Sequence, residues 1–389
     1  MDRVMGNVNI SDEIKNYWSN FLNTGCIING TPCDLTKIEQ MGRLEFATQA
    51  RLYTPTKLYK YFPNVEKKEQ EKLVNYSIQA LENNTVFMQS PSNFDDVYDS
   101  EISIDYSVFE KTRLIEYCRR CGISVKKDLP TNEIGNIFLQ SIIQSLYKHK
   151  NYDNLFTQNP ESEIEKLENK LFCMSIHQEM QSTDNLGKAV SAILCREYIE
   201  FVRDLKNTFR VSCFATTPYS QLMWGGMYAD CHKGFCIEYT VSNDKKYADV
   251  LYNLFPMIYC KTRPNVSKLF ADMKTKEYSE ENLWNIYFHG ALRKSIDWAF
   301  QNEWRLLLPL TNKNSSDYNI PFFPITKVFL GERMPNDKRR QIIDICNSKG
   351  IPYIGVKKNP LLFEMQDCEI KCENCLHFAN GSNSQCFIS

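Results

Sequence analysis

Five short segments in the second half of the chain are built largely from β-branched and aromatic residues, and they constrain the fold more than any other feature. RVSCFATT from Arg210, GFCIEYTV from Gly234, FPMIYCKT from Phe255, EWRLLLPL from Glu303 and ITKVFLGER from Ile325 each have the length and composition of a strand. Helical stretches stand between several of them. Together they predict an α+β chain with a mixed or antiparallel central sheet and flanking helices.

The earlier half adds to that sheet. LYKYF at 58–62 reads as a strand, VEKKEQEKLVNYSIQALENN as a helix, and TVFMQS as a second strand that runs into the turn-rich SPSNFDDVYD, a β-α-β start. From about 109 to 207, NEIGNIFLQSIIQSLYKHK and NLGKAVSAILCREYIEFVRDLKN place apolar residues three and four apart and predict a helical insertion. Residues 1–57 read as an N-terminal extension: a helix over SDEIKNYWSNFLN with Ser11 as its cap, then an irregular segment holding Cys26 and Cys33. The main domain runs over 58–365, and 366–389 form a Cys-rich tail.

Charge and cysteine usage narrow the function class. Lys plus Arg number 46 against 47 Asp plus Glu, a net charge of -1, so no global basic surface draws the chain to nucleic acid or an anionic membrane. The Lys338-Arg339-Arg340 cluster reads as the solvated face of a helix beginning after Pro335. No apolar run reaches membrane-spanning length, and the first residues lack the apolar core of a signal peptide. A soluble, cytoplasmic protein is expected. Its 15 cysteines therefore read as reduced thiols, most of them core fillers.

Three constellations could carry chemistry. In QLMWGGMYADCHKGFCIEY, Gln221 to Tyr239, a helix from Pro218 to about Ala229 would put Trp224 and Tyr228 on one face, with Asp230, His232 and Lys233 in a loop ended by Gly234. Trp224 reads chiefly as packing; Tyr228 and His232 read equally as the wall of a site or as structure. In WAFQNEWRLLLPL, alternation puts Glu303 and Arg305 on one face of a strand too apolar to be an exposed edge. That pattern suggests a carboxylate held by a guanidinium at the mouth of a buried strand, or else a surface ion pair. The tail, with Cys368, Cys372, Cys375 and Cys386, has the thiols of a tetrahedral zinc site, with His377 or the Cys118/Cys121 pair as other conceivable ligands.

Five of these segments, LYKYF, NNTVFMQSPSNFDDVYD, VSCFATTPYSQLMWGGMYADCHKGFCIEY, KSIDWAFQNEWRLLLP and ITKVFLGERM, resemble a large bacterial family of unassigned activity, the domain-of-unknown-function 2971 family. The likeness spans about 55–360, with FDDVYD for an FNDPFD-like turn, Phe62 where an Arg is common and Gln301 where a first Glu usually stands. The order of the pieces is similar in arrangement to the ADP-ribosyltransferase superfamily. That resemblance implies NAD as a substrate, transfer or hydrolysis of its ADP-ribose, a macromolecular acceptor, and work as a toxin or defence effector. It assigns Glu303 as the catalytic carboxylate, Arg305 as its orienter, and Tyr61, Trp224, Tyr228 and His232 as substrate contacts. The alternative is a non-enzymatic module that recognises a protein or nucleic acid.

Overall fold

A computed structural model of the chain describes residues 25–69, 72–149, 183–267, 271, 288–309 and 317–368. In chain order the strands are β1 (Gly25–Ile28), β2 (Thr31–Asp34), β3 (Lys57–Phe62), β4 (Lys67–Glu69), β5 (Lys72–Val74), β6 (Thr85–Met88), β7 (Phe209–Phe214) and β8 (Phe235–Thr240). They continue as β9 (Leu254–Pro256), β10 (Ile258–Cys260), β11 (Arg293–Ser295), β12 (Trp304–Pro309), β13 (Tyr318–Pro321), β14 (Ile325–Leu330), β15 (Tyr353–Lys358) and β16 (Met365–Asp367). The described residues fall into two compact units, one drawn from 1–100, 207–262 and 291–389, the other from 101–206 and 263–290.

The first unit holds all of these strands. Its largest sheet has the order β16-β15-β14-β8-β3, antiparallel at β8 with both neighbours and parallel between β14 and β15. The class is α+β. Period two decides how β8 is buried: Phe235, Ile237 and Tyr239 enter one core with Leu58, Phe62, Val328 and Leu330, while Cys236 enters another with Tyr59, Tyr61 and Phe329. Each such large apolar side chain contributes roughly 1.5–3 kcal/mol on burial. The helix Asn336–Lys349 closes the first core with Ile342, Ile343 and Cys346, two of them four apart on one face.

A second sheet, β7-β12-β9, is antiparallel throughout. The two sheets meet at one bridge, where Tyr59 of β3 exchanges both backbone hydrogen bonds with Ala215 just past β7, at 2.9 and 2.7 Å. A matching bridge, Gln89 to Val211, ties β7 to the end of β6. Between these bridges the edges separate.

Several expectations need correction. The expected helix over 65–84 is shorter: β4 and β5 form a hairpin, and the helix Tyr76–Asn83 starts at Asn75, whose side chain accepts from the Ile78 N–H at 3.1 Å. The run KKEQEK has no apolar stripe to bury, so nothing holds it helical. β3 and β6 are not sheet neighbours, because β6 pairs with β13, so no β-α-β unit forms. Cys26 and Cys33, placed in an irregular segment, instead face each other across a β1–β2 hairpin whose turn, Asn29-Gly30, has φ of 51° and 71°, the left-handed pair of a type I′ turn. β1 in turn pairs with β10. The expected helix over 11–23 lies outside the described residues.

The second unit is helical. Helices Tyr106–Arg120, Thr131–His149 and Thr183–Leu205 enclose Leu114, Cys118, Ile134, Phe138, Val190, Ile193 and Leu194. Cys118 is a core filler here and Cys121 caps its helix. No helix among the described residues is long and apolar enough to cross a membrane.

Candidate functional site

A cavity of about 250 Å3 opens where β3, β6 and β7 diverge, within the first unit. Its aromatic wall includes Tyr59, Tyr61, Phe94, Phe214, Tyr228 and Trp298, and Lys60, Asp99, Lys294, Gln301 and Glu303 supply the charged and polar part.

The polar part is a buried ion cluster centred on Arg305, which is fully buried on the middle strand β12. Its guanidinium grips Asp99 with two parallel hydrogen bonds, Nη1 to Oδ1 at 2.9 Å and Nη2 to Oδ2 at 3.0 Å, and Nε donates to Glu303 Oε1 at 2.9 Å. Nη1 also reaches the Ala291 carbonyl at 2.7 Å. Lys294 closes the ring. Its Nζ lies 3.3 Å from both Glu303 Oε2 and Asp99 Oδ2 and donates to Gln301 Oε1 at 2.9 Å. Gln301 passes the chain on to the Tyr228 hydroxyl at 2.6 Å. Two acids and two bases thus neutralise each other in a desolvated place, where breaking either pair is costly.

Local structure explains the convergence. β11 ends at Ser295, whose hydroxyl caps the 3-10 helix Ile296–Gln301; Asn302 then turns the chain in a left-handed conformation, φ 42°, held by its amide on Thr216 Oγ1 at 2.6 Å. That tight excursion returns Glu303 beside Lys294. From the other side, Pro91–Asn93 forms a turn capped by Ser90 and leads to Asp99, with its N–H on the Asp96 carbonyl.

The cluster sets protonation. Burial alone would raise the Glu303 carboxyl, but Arg305 and then Lys294 bring it below its ordinary value, so it is a carboxylate. At Asp99 burial is likewise outweighed by Arg305, and the pKa falls to about 2. Burial raises the Tyr228 phenol, with Lys294 opposing; it stays protonated. Asp96, also on the cavity wall, keeps Oδ2 buried without a hydrogen-bond partner among the described residues.

The expected site residues divide. Glu303, Tyr228 and Tyr61 line the cavity, the Tyr61 hydroxyl donating to the Thr217 carbonyl at 2.9 Å. Arg305 stands behind Glu303 and does not line the cavity, so it can orient the carboxylate without touching a ligand. Trp224, expected as a substrate contact, does not line the cavity: it is fully buried, its indole N–H donates to the Pro218 carbonyl at 2.7 Å, and Tyr61 packs edge-on against it at 5.3 Å. His232 is also away from the cavity. The expected helix over 218–229 is only Gln221–Gly225, ended by extended Gly226, and Tyr228 sits on a separate turn, Met227–Ala229, before Asp230, Cys231 and His232 turn left-handed at φ 45°, 52° and 68°. Trp224 and Tyr228 therefore share no helix face, and the His232 backbone serves the corner, its N–H on the Trp224 carbonyl and its carbonyl accepting from Arg333. Cys368 follows β16; Cys372, Cys375 and Cys386 lie outside the described residues.

Asp99, Lys294 and Gln301 were not singled out as site residues. FDDVYD carries three aspartates in six residues and KSIDWAF a lysine and an aspartate, and nothing local in either segment says which of these charges turns inward.

Residues 223–306 match the model of a family described as protein of unknown function (DUF2971). The DUF2971 match begins in the Met223 corner and ends just past Arg305, so it takes in Tyr228, Lys294, Gln301 and Glu303 but neither Lys60 nor Asp99. No curated protein and no solved structure matches the chain. None of these comparisons supports the likeness to ADP-ribosyltransferases.

Proposed function

We propose that the cavity binds the nicotinamide-riboside end of NAD and that the protein cleaves its glycosidic bond, passing ADP-ribose to water or to an acceptor hydroxyl. The observation that carries this reading is the placement of an ionised Glu303 and of Tyr228 on one aromatic cavity wall. As nicotinamide leaves with the bonding electrons, positive charge develops on the ribose. A fixed carboxylate in a water-poor site stabilises that charge far more than one in solvent. Tyr228 would stack on the departing ring. The volume supports part of a ligand only, being below the roughly 300–1,000 Å3 of pockets that enclose drug-sized molecules, so the adenylate half would extend outside.

Purified protein incubated with NAD should release free nicotinamide, and Glu303→Gln should stop the release. No nicotinamide from well-folded wild-type protein at high enzyme concentration overturns the reading. Where nicotinamide is released, NAD depletion on expression would account for a toxin or defence role.

One observation favours a second reading. Both Glu303 oxygens already accept from Arg305 and Lys294, the state of a cluster that shapes a recognition cavity. A non-enzymatic binding module would bind nicotinamide or NAD in calorimetry and leave it intact. The tail is proposed to hold one structural zinc through Cys368, Cys372, Cys375 and Cys386, four thiols within nineteen residues being a tetrahedral donor set. Metal analysis of the full chain finding no zinc overturns that assignment.

A further inference from the structure

Among the described residues, Lys60 is a cavity-lining cation that forms no ion pair with a carboxylate. Lys294 and Arg305 are matched by Glu303 and Asp99, whereas among the described residues the Lys60 ammonium donates to neutral oxygens, Ser212 Oγ and the Cys213 carbonyl, both at 3.0 Å. It lies 5.1 Å from the centre of the Phe214 ring. An ammonium has three donors, so one remains after these two bonds.

Backbone geometry adds a second donor at the same place. Val211 and Ala215 turn both their N–H and C=O outward from β7, to Gln89 and Tyr59. Strand alternation then directs Cys213, midway between them, to the same edge. Among the described residues that edge is paired at the two isolated bridges on either side of Cys213 and not at Cys213 itself. Its carbonyl takes Lys60, and its N–H faces the gap. Lys60, Ser212 and Cys213 all line the cavity.

We propose that the Lys60 ammonium and the Cys213 backbone N–H form an anion-binding end of the cavity, which takes a phosphate or carboxylate group of the ligand. The inference rests on reading this cavity as the ligand site, and not on NAD being its occupant. Fixed, desolvated donors of this kind hold an anionic oxygen more strongly than neutral pairs do, and a lysine between edge strands serves as a point charge with no bidentate demand on geometry. A molecule carrying an anionic group at one end and an aromatic body along the Tyr61 and Tyr228 wall satisfies both parts of the site.

The test uses the full chain and two ligand pairs that differ in one anionic group, titrated by calorimetry: nicotinamide mononucleotide against nicotinamide riboside, and benzoate against benzamide. In at least one pair the anionic member should bind about tenfold tighter, as one charge-assisted contact implies. The pair that shows it identifies phosphate or carboxylate. Lys60→Gln should erase the preference and Lys60→Arg should keep it. Equal binding within both pairs, no binding of any of the four, or a preference that survives in folded Lys60→Gln overturns the proposal. Anion preference without nicotinamide release would sink only the enzymatic reading; nicotinamide release without anion preference would sink only this one.

Discussion

Arg305 shows how much one buried side chain can organise. Its guanidinium is the hub through which Asp99 and Glu303, 204 positions apart in sequence, reach the same cavity, and it is the chief influence that outweighs burial and brings both carboxyls below their ordinary values. Because the folded Asp99 carboxyl sits at about 2 against roughly 3.9 when unfolded, the unfolded chain binds more protons between those values. Stability is therefore fully present above pH 4 and is lost as pH falls toward 2. Asp99 alone should account for about 2 kcal/mol over that window, with Glu303, also lowered, adding in the same direction. Urea unfolding across pH should show Asp99→Asn less stable at neutral pH by about 3–5 kcal/mol, since it leaves Arg305 short of a partner, and flatter in acid. An unchanged acid slope in that variant would locate the acid sensitivity elsewhere. Trp224 and Tyr228 separate in the same way: Trp224→Ala should cost about 3–5 kcal/mol as a core truncation, while Tyr228→Phe, at a residue 38 % exposed, should change stability by less than about 1 kcal/mol and weaken ligand binding by removing the acceptor of Gln301.

At the scale of elements, the corner from Gly225 to Gly234 depends on close backbone approach. A Cβ on Gly234 would lie 2.1 Å from the Phe62 carbonyl, and one on Gly331 2.2 Å from the His232 carbonyl, so the corner is seated on the ends of β3 and β14 with no room for a side chain. Gly331→Ala should therefore lower stability by roughly 1–3 kcal/mol as an overpacked contact and weaken cavity binding by shifting Tyr228. If its melting temperature matches wild type, the corner is not clamped as the distances imply. Elements of this kind show what was legible. β3, β8, β12 and β14 are six-residue runs rich in aliphatic and aromatic residues and were readable from that composition; alternation made Glu303 and Arg305 readable as same-side neighbours. The break between Trp224 and Tyr228 was not, because i, i+4 spacing looks the same whether the chain continues helical or stops at Gly226. The β1–β2 hairpin was missed for a simpler reason: its Asn29-Gly30 turn signal lies between strands of only four residues, too short for alternation to stand out.

For the whole molecule, the cavity depends on topology more than on any one motif. Its wall draws on β3, on the segment after β6, on β7, on the turn at Tyr228 and on the β11–β12 excursion, and nothing local in the sequence says that Asp99 will meet Lys294. The DUF2971 match contains only part of that set. A site assembled from distant segments couples ligand binding to global stability, because unfolding disperses its donors. A ligand present at about 100 times its Kd should then stabilise the chain by about 2.7 kcal/mol, which for a protein of this size is a melting-temperature rise of several degrees. Differential scanning fluorimetry with nicotinamide mononucleotide should show that rise in wild type and in Trp298→Phe, whose ring remains aromatic on the cavity wall. It should shrink in Tyr228→Ala, which removes part of that wall at the rim. It should also shrink in Lys60→Gln, by the share of affinity that the anionic group supplies. Equal shifts in all four proteins would mean that the nucleotide binds outside this cavity, and the convergence of these five segments would then be a matter of folding alone.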